Sequence, residues 1–212
     1  MEDEARAARK AVAALSDAAV DAALAEAAAL VRERRAAILA ANAADHAAAT
    51  GKLDAGMLDR LRLDGARVES MALQVAATAA LPPLEREAAS WTLENGLRVS
   101  ERRIPIGVVG ANFEARPNVA LDVAAQLLKS LNGGVLRTGG AALRTVTVIV
   151  DEVVRPALER AGLPAGAIGL VRSADREGAR VLVSLPHVVK LVVLRGSGET
   201  TAALARLAAE HG

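Results

Sequence analysis

The sequence is poor in reactive sulfur and in aromatic rings. It contains no cysteine, one tryptophan, one phenylalanine and no tyrosine among 212 residues. Without cysteine, the chain forms neither disulfides nor thiolate metal sites. Because surfaces that stack nucleic-acid bases are built from aromatic side chains, this composition argues against binding of single-stranded nucleic acid.

Neither sign of charge dominates, and long apolar runs are absent. The 26 Lys and Arg residues nearly balance 25 Asp and Glu residues, for a formal net charge of +1, so no strong field attracts DNA or anionic membranes. No apolar run approaches the roughly 20 residues that cross a bilayer. The start, MEDEARAARKAVAAL, lacks the positive-then-apolar order of a signal peptide. We therefore expect a cytoplasmic protein without nucleic-acid or membrane partners.

The sequence also offers no metal site or familiar hydrolase motif. Its three histidines, His46, His187 and His211, share no spacing suited to metal binding or to a catalytic triad. Neither HExxH nor GxSxG occurs. Structural or solvated roles are predicted for the histidines.

Residues 1–83 are predicted to form a helical region that packs on a sheet. Ala, Leu, Glu and Arg dominate residues 2 to about 50, and Gly51 ends that run. A short helix is predicted at 57–63, Asp64 is suited to cap the next one, and the prolines of 81–83 end the region. The apolar face of the first run consists of Val20, Leu24, Ala27, Ala28 and Val31.

Residues 84–103 and 104–212 have β-strand patterns of two different kinds. Asn95-Gly96 separates two short β-compatible runs and predicts a connecting hairpin within 84–103. From 104 to 212, the apolar runs IGVVG, GVLR, AIGLV and VKLVVL alternate with helical patterns at 118–130, 141–161, 175–185 and 200–210. Such alternation indicates a parallel sheet with helical crossovers. The predicted fold class is α/β: an N-terminal helical segment followed by a doubly wound, mostly parallel Rossmann-like sheet, all in one combined domain.

Three of the strand-like runs end in loops that open helices. Ligands of open α/β sheets bind at the carboxyl ends of the strands, where helix N-termini attract anions. Two of these loops place arginine before glycine, a pattern suited to phosphate binding. An ordinary turn that uses glycine for unusual dihedrals is an equally good interpretation. The candidate residues are Arg137, Gly139 and Gly140 in one loop, and Arg195, Gly196 and Ser197 in the other.

The loop that follows the first strand-like run, IGVVG, contains polar residues. Asn118 is suited to stabilise an oxyanion, but from chemistry alone helix capping is favoured, because Asn is common at that position. Ser197 has no evident base to activate it as a nucleophile. Lys129 is predicted to be a surface lysine with an extended apolar stem.

The segment PIGVVGANFEARPNVALDVAAQLLKSLNGGVLRTGG, residues 105–140, resembles PLGVIGIIYESRPNV and LCLKSGNAVILRGG of the glutamate-5-semialdehyde dehydrogenase (gamma-glutamyl phosphate reductase) family. This family is a proline-biosynthesis branch of the aldehyde dehydrogenase superfamily. Further similar segments, in the same order, are ILAANAADHAAA, MLDRLRLDGARVESMALQVAATAALPPL and ADREGARVLVSLPHVVKLVVLRGSGE. The resemblance covers nearly the whole chain.

The resemblance implies an NADPH-dependent reduction of gamma-glutamyl phosphate to the semialdehyde through a cysteine thioester. It implies that this chain corresponds to the N-terminal, cofactor-binding half, and that the catalytic cysteine and catalytic domain would follow Gly212. No catalytic residue is expected here beyond Asn118 as a substrate contact. A chain without its catalytic domain exposes apolar surface, so a homo-oligomer is expected. The residues implied at the cofactor and substrate cleft are Arg116, Pro117, Asn118, Arg137, Gly139, Gly140, Arg195, Gly196 and Ser197.

The sequence departs from the family pattern at several loop positions. Leu131 replaces the glycine of SGN, Thr138 the first glycine of RGG, and Ser197 the second glycine of the later RGG. Two alternatives therefore stay open: a diverged, non-catalytic relative that serves interaction or assembly, and a domain that binds another phosphorylated metabolite.

Overall fold

The computed structural model describes residues 1–211, so Gly212, the last residue of the predicted sheet region, lies outside the described residues. The helices are α1 (Glu2–Val12), α2 (Asp17–Glu33), α3 (Arg35–Ala49), α4 (Ala55–Leu61), α5 (Gly65–Ala79), α6 (Pro117–Lys129), α7 (Leu143–Ile149), α8 (Arg155–Arg160), α9 (Glu177–Val183) and α10 (Gly198–His211). The strands are β1 (Glu87–Thr92), β2 (Arg98–Arg102), β3 (Val108–Phe113), β4 (Gly133–Thr138), β5 (Ile168–Leu170) and β6 (Val189–Leu194).

The N-terminal helical run is divided into three helices. The predicted apolar face of α2 is buried, as its spacing indicates. The break before α2 lies at Ser16, whose Oγ accepts a hydrogen bond from the Ala19 N–H at 3.4 Å. Asp64 caps α5 as predicted, because its Oδ1 accepts from the Arg67 N–H at 2.9 Å. Because helix propensity is uniform along this alanine-rich run, composition does not predict where the helices break, whereas the capping residues do.

The main sheet is parallel, with the order β5-β4-β3-β6. From β3 the chain moves outward through β4 to β5 and then returns to place β6 on the other side of β3. Ala111 and Leu136 pack with α2, α6, α7 and α8, whereas Val108 and Val135 pack with α1 and α9. Helices therefore cover both faces, which confirms the doubly wound α/β class. The reversal of strand order lies between β3 and β6, where ligands of such sheets bind.

The helical region at 141–161 forms as predicted despite the β-propensity of residues 145–150. It comprises α7, a π turn at Val150–Val154 and α8. Pro156 follows the π turn and lacks a backbone N–H, and the Arg155 N–H instead bonds to the Val150 carbonyl. The π turn thus lies where Pro156 interrupts the regular hydrogen bonding of the helix.

The β1–β2 hairpin is antiparallel and stands apart from the main sheet. Its predicted turn is confirmed: Gly96 has φ of +86°, and Asn95 Oδ1 accepts from the Leu97 N–H at 3.1 Å. All six residues of β1 are exposed, and 46% of Trp91 is accessible to solvent.

Lys129 does not lie on the surface, so that prediction is wrong. The residue is buried. Its Nζ forms an ion pair with Asp21 and donates to the Ala79 carbonyl at 3.1 Å. Helices α2 and α5 cover this end of α6, so the ammonium group finds partners within the fold.

Leu131 ends α6 with φ of 57°, a left-handed conformation. The Asn132 N–H bonds to the Leu127 carbonyl and the Leu131 N–H to the Leu128 carbonyl, both at 2.8 Å. This pair of bonds is a Schellman motif, in which glycine normally occupies the left-handed position. Leu131 therefore adopts a conformation that glycine normally provides.

Across residues 1–211, no helix combines the length and the apolar character needed to span a membrane. The same residues contain no group of three or more His, Cys, Asp or Glu side chains placed to hold a metal ion.

Candidate functional site

A cleft of about 330 Å³ lies at the carboxyl ends of β3, β4 and β6, and we call it the strand-end cleft. It brings together six of the nine predicted site residues, from two loops that are distant in sequence. They are Arg137, Gly139, Gly140, Arg195, Gly196 and Ser197. Asn112 and Glu114, from the end of β3 and the loop that follows, and Thr200 of α10 add to its polar lining.

A larger cavity of about 720 Å³, the α9–α10 cavity, adjoins the strand-end cleft. Both are lined by Arg137, Gly139, Gly140 and Ser197. Positive charge comes from Arg176, just before α9, and from Arg180 within it, and Glu199 of α10 adds one carboxylate. Ala203 and Leu204 of α10 add apolar surface. The combined surface thus offers arginines beside an apolar wall.

Arg137 is held in place at the end of β4. Its Nη1 donates to Asn112 Oδ1 at 3.2 Å and its Nη2 to the Asp175 carbonyl at 2.9 Å. Its Nε is buried without a hydrogen-bond partner in residues 1–211. Burial lowers the pKa of Arg137, although a guanidinium stays charged at neutral pH. An anion in this cleft would offset the cost of that partly desolvated charge.

The loop glycines do not serve unusual dihedral angles. The described glycines with positive φ are Gly51, Gly96, Gly107 and Gly162, and none belongs to these loops. At Gly140 an added Cβ would lie 3.0 Å from the Ala174 Cβ, so packing restricts that position. Of the two interpretations of these loops, the one based on glycine dihedrals is wrong.

Ser197 supports the start of α10. Its Oγ accepts from the Thr200 N–H at 3.4 Å and donates to Thr200 Oγ1 at 3.0 Å. The Arg195 N–H bonds to the Asn112 carbonyl at 2.9 Å. The loop after β6, which contains Arg195 and Ser197, is therefore fixed to β3. No histidine is among the residues that line the strand-end cleft or the α9–α10 cavity.

Arg116 and Asn118 line a different concavity, which we call the basic cleft. It measures about 320 Å³ and lies between α4, α5 and the start of α6. Pro117 begins α6 and lines neither cleft. The structure therefore divides the predicted site residues between two clefts.

Asn118 does not cap α6, so that prediction is wrong. Proline favours the first helical position, and Pro117 takes it, which places Asn118 inside the helix and Arg116 at the cap. The Asn118 Nδ2 instead donates to Asp122 Oδ2 at 3.2 Å. Burial raises the pKa of Asp122, and the hydrogen bond from Asn118 opposes that rise. One amide hydrogen of Asn118 is thus engaged, and the second is left to donate elsewhere.

Helix α9 begins two residues later than the pattern at 175–185 predicts. Ser173 Oγ accepts from the Asp175 N–H at 3.1 Å, within the loop before the helix. Helix α9 begins later, at Glu177, with Arg176 in the cap position. The extra loop residues allow the Asp175 carbonyl to meet Arg137.

Sequence reasoning missed a buried polar cluster behind the second loop. Asp45 Oδ2 accepts from the Thr145 N–H at 2.9 Å and from its hydroxyl at 2.8 Å. Asn42 accepts from the Leu63 N–H at 2.7 Å and donates to the Leu61 carbonyl at 2.9 Å. Helix α3 thereby caps α7 and fixes the α4–α5 connection. The only local signal is a pair of polar residues, Asn42 and Asp45, in an alanine-rich helix.

Comparison with known proteins places this geometry in context. No protein-family model matches the chain. The gamma-glutamyl phosphate reductase of Clavibacter michiganensis is 51% identical over 164 residues, which are 76% of this chain and 38% of that protein. The gamma-glutamyl phosphate reductase structure from Thermotoga maritima superposes with a TM-score of 0.91 and 29% identity, covering 96% of this chain and 50% of that one.

The chain is homologous to part of gamma-glutamyl phosphate reductase. It spans 33% to 47% of the length of the curated relatives that it is compared with. A wider likeness of fold extends to an NAD-dependent benzaldehyde dehydrogenase from Corynebacterium glutamicum, with a TM-score of 0.73 and 21% identity over 98% of this chain and 43% of that one. The aldehyde dehydrogenase-like α/β fold expected from the sequence is thus confirmed.

Proposed function

We propose that the strand-end cleft and the α9–α10 cavity together bind NADP(H), as the cofactor-binding part of a gamma-glutamyl phosphate reductase. The observation that carries this proposal is the convergence of two arginine-glycine loops at the switch point of the sheet, with Arg137 held by Asn112 and Asp175. The homology to gamma-glutamyl phosphate reductases supports it.

The distribution of arginines favours NADPH over NADH. Pyrophosphate needs cationic and backbone donors at the strand ends, which Arg195 and the loops supply. The additional 2′-phosphate of NADPH needs a further cation. Arg137, Arg176 and Arg180 line the α9–α10 cavity against one carboxylate, that of Glu199, beside the apolar surface of Leu204 that suits an adenine ring.

The test is a titration of the chain with NADPH and, separately, with NADH, in which binding is measured by calorimetry. We expect saturable binding that is tighter for NADPH. Arg137→Ala is expected to raise the Kd roughly ten- to a hundredfold, since a charge-assisted hydrogen bond to phosphate contributes roughly 1.5–3 kcal/mol. Arg98→Ala, an exposed arginine of β2, is the matched control. Absence of binding up to millimolar NADPH overturns the proposal.

The reductase chemistry requires more than this cofactor cleft. NADPH, when bound, supplies the hydride. In this chain, Asn118 is placed to donate its second amide hydrogen to a developing oxyanion, with Asp122 fixing its orientation. With no cysteine in the sequence, the chain alone has no thiolate to form the thioester. We expect no reduction of gamma-glutamyl phosphate by this chain on its own, measured as NADPH consumption.

The alternative of another phosphorylated ligand is tested in the same samples. A panel of phosphorylated metabolites is screened for a rise in melting temperature, since a ligand that binds only the folded state stabilises it. A compound that raises the melting temperature where NADPH does not would favour the alternative. If the chain is a non-catalytic interaction protein, neither NADPH nor the phosphorylated metabolites should change the melting temperature.

A further inference from the structure

Two of the five asparagines are followed by glycine, and the structure places them in opposite surroundings. Asn95-Gly96 lies in the exposed turn of the β1–β2 hairpin, whereas Asn132-Gly133 is buried where α6 passes into β4. Because glycine lacks a Cβ, its backbone nitrogen is well able to approach the side-chain amide of the asparagine before it. The two pairs therefore expose one reactive dipeptide to two different environments within a single chain.

The hairpin turn prepares Asn95 for attack by the Gly96 nitrogen. Asn95 Oδ1 accepts a hydrogen bond from the Leu97 N–H at 3.1 Å. This donor points at the oxygen on which negative charge develops when the side-chain carbonyl carbon is attacked. Among residues 1–211, no atom beyond the adjoining residues lies within 4 Å of the position that a Gly96 Cβ would occupy. The nitrogen is therefore open to water and to dissolved base.

One hydrogen bond opposes the reaction, but it lies on the exposed turn. The Gly96 N–H donates to the Leu93 carbonyl at 2.9 Å, and this bond must open before the nitrogen loses its proton. Residues 93–97 are all exposed, and the hairpin stands apart from the main sheet. Such a bond opens in local fluctuations that leave the rest of the fold intact.

Asn132 has the same neighbour but is held on every side. It is 6% exposed. Its Nδ2 donates to the Ser130 carbonyl at 3.2 Å and to Ser130 Oγ at 2.9 Å, and its Oδ1 accepts from the Gly107 N–H at 2.9 Å. The Gly133 N–H donates to the Gly107 carbonyl at 2.9 Å, where β4 begins. The same reaction at Asn132 therefore requires the start of β4 to open.

We propose that Asn95 is a site of spontaneous deamidation and that the fold protects Asn132 from the same reaction. The Gly96 nitrogen gives its proton to a base in solution and bonds to the Asn95 side-chain carbonyl carbon. The bond from that carbon to Nδ2 breaks, and ammonia leaves after taking up a proton from the solvent. Water then opens the resulting succinimide ring, adding its hydroxyl to one carbonyl carbon and its proton to the nitrogen.

Two products result, and both change the hairpin. Cleavage of the newly formed bond gives aspartate, and cleavage of the original peptide bond gives isoaspartate, whose backbone passes through the side chain. Either product adds a carboxylate beside Glu94 and lowers the formal net charge of +1 by one unit. Isoaspartate also lengthens the backbone of a compact turn. The bond from the Leu93 N–H to the Leu97 carbonyl, which closes that turn, is then expected to break.

The test follows both asparagines in one sample of the full chain. The chain is incubated at physiological temperature, at neutral and at mildly alkaline pH, and samples taken over days are digested with trypsin for mass spectrometry. Trypsin releases residues 87–98 and 130–137 as peptides that contain one asparagine each. We expect the acidic form of 87–98 to accumulate about tenfold faster or more, because Asn132 reacts only from opened states. The rate at Asn95 should rise with pH, because the attacking nitrogen must lose its proton.

The unfolded chain is the matched control. In urea the fold no longer distinguishes the two Asn-Gly pairs, so their rates should become similar. Asn95→Gln should abolish the acidic form of 87–98, because the longer side chain closes its ring far more slowly, and should leave the rate at Asn132 unchanged. An unincubated sample measures the deamidation that occurs during digestion. Equal rates in the folded chain, or an intact Asn95 under conditions that modify the unfolded chain, overturn the proposal.

Discussion

Leu131 holds a backbone conformation that normally belongs to glycine. Its φ of 57° completes the Schellman motif of α6, and a left-handed conformation costs an ordinary L-residue roughly 1–2 kcal/mol. Leu131→Gly relieves this strain and loses the packing of the side chain, whereas Leu131→Ala loses the packing and keeps the strain. We expect the glycine variant to be about 1 kcal/mol more stable than the alanine variant, measured by urea denaturation.

At a position with ordinary helical geometry, alanine is more stabilising than glycine, which is the opposite order. Ala66, near the start of α5, serves as the comparison. Ala66→Gly is expected to destabilise the chain, because that position has ordinary helical geometry. Equal stability of the two Leu131 variants would show that the left-handed conformation carries no cost.

Individual residues were predictable where their role is local. Asp64 and Asn95 act through backbone groups two or three residues away, so their types and positions are sufficient to identify them. Lys129 was not predictable, because its partner Asp21 lies 108 residues earlier in the chain. Asn118 was misassigned because Pro117 takes the first helical position. The roles of the predicted site residues in ligand binding stay predictions.

At the scale of elements, α7 depends on a carboxylate from another helix. Residue Ala142 at its cap position provides no side-chain hydrogen bond, and Asp45 of α3 binds the Thr145 N–H and hydroxyl instead. Asp45→Ala leaves this buried N–H unpaired and is expected to cost about 2–3 kcal/mol. Asp45→Asn retains one acceptor and should cost about half as much.

The measurement for Asp45 combines urea denaturation with amide hydrogen exchange. Exchange in α7 should accelerate more than in α10, because only α7 loses its cap. Asp3→Ala, which removes an exposed carboxylate of α1, is the control. Uniform acceleration throughout the chain would argue against a specific role of Asp45 at α7.

The alternation of apolar runs and helices predicts the main elements well, since it reflects the repeating need to bury a sheet on both faces. The hairpin turn follows from Asn95-Gly96, whose backbone preferences are local. The breaks within residues 2–50 did not follow from composition, because alanine-rich segments favour helix throughout. The division of the chain at 83 and 103 stays a prediction.

At the scale of the whole molecule, exposed apolar surface predicts self-association. Strand β6 forms an edge of the sheet and exposes Leu191 and Val193 at 46% and 51%. Trp91 and Leu97 of the hairpin region are 46% and 57% exposed. Edges and patches of this kind pair with other chains. We expect oligomers at high concentration, measured by light scattering.

The single tryptophan reports which surface takes part. If the hairpin is buried between copies, the Trp91 emission should shift to shorter wavelength as the concentration rises. Leu191→Lys/Val193→Lys should suppress association through the sheet edge, because charged residues protect edge strands. A clean monomer at high concentration contradicts the prediction.

The sequence indicated the parallel sheet but not the order of its strands or the separation of the two clefts. Those features depend on where β6 returns beside β3 and on how α4 and α5 meet the start of α6. Both are contacts between distant segments, which no local pattern encodes.

The position of α1 has a consequence for the order in which the segments of the chain assemble. This first helix packs against β4 and β5, and Glu4 pairs with Arg155, 151 residues later. Closing so long a loop carries an entropic cost that only the assembled sheet repays. Helix α1 therefore docks only after β4 and β5 have come together, and until then the face of the sheet that it covers stays exposed to other chains.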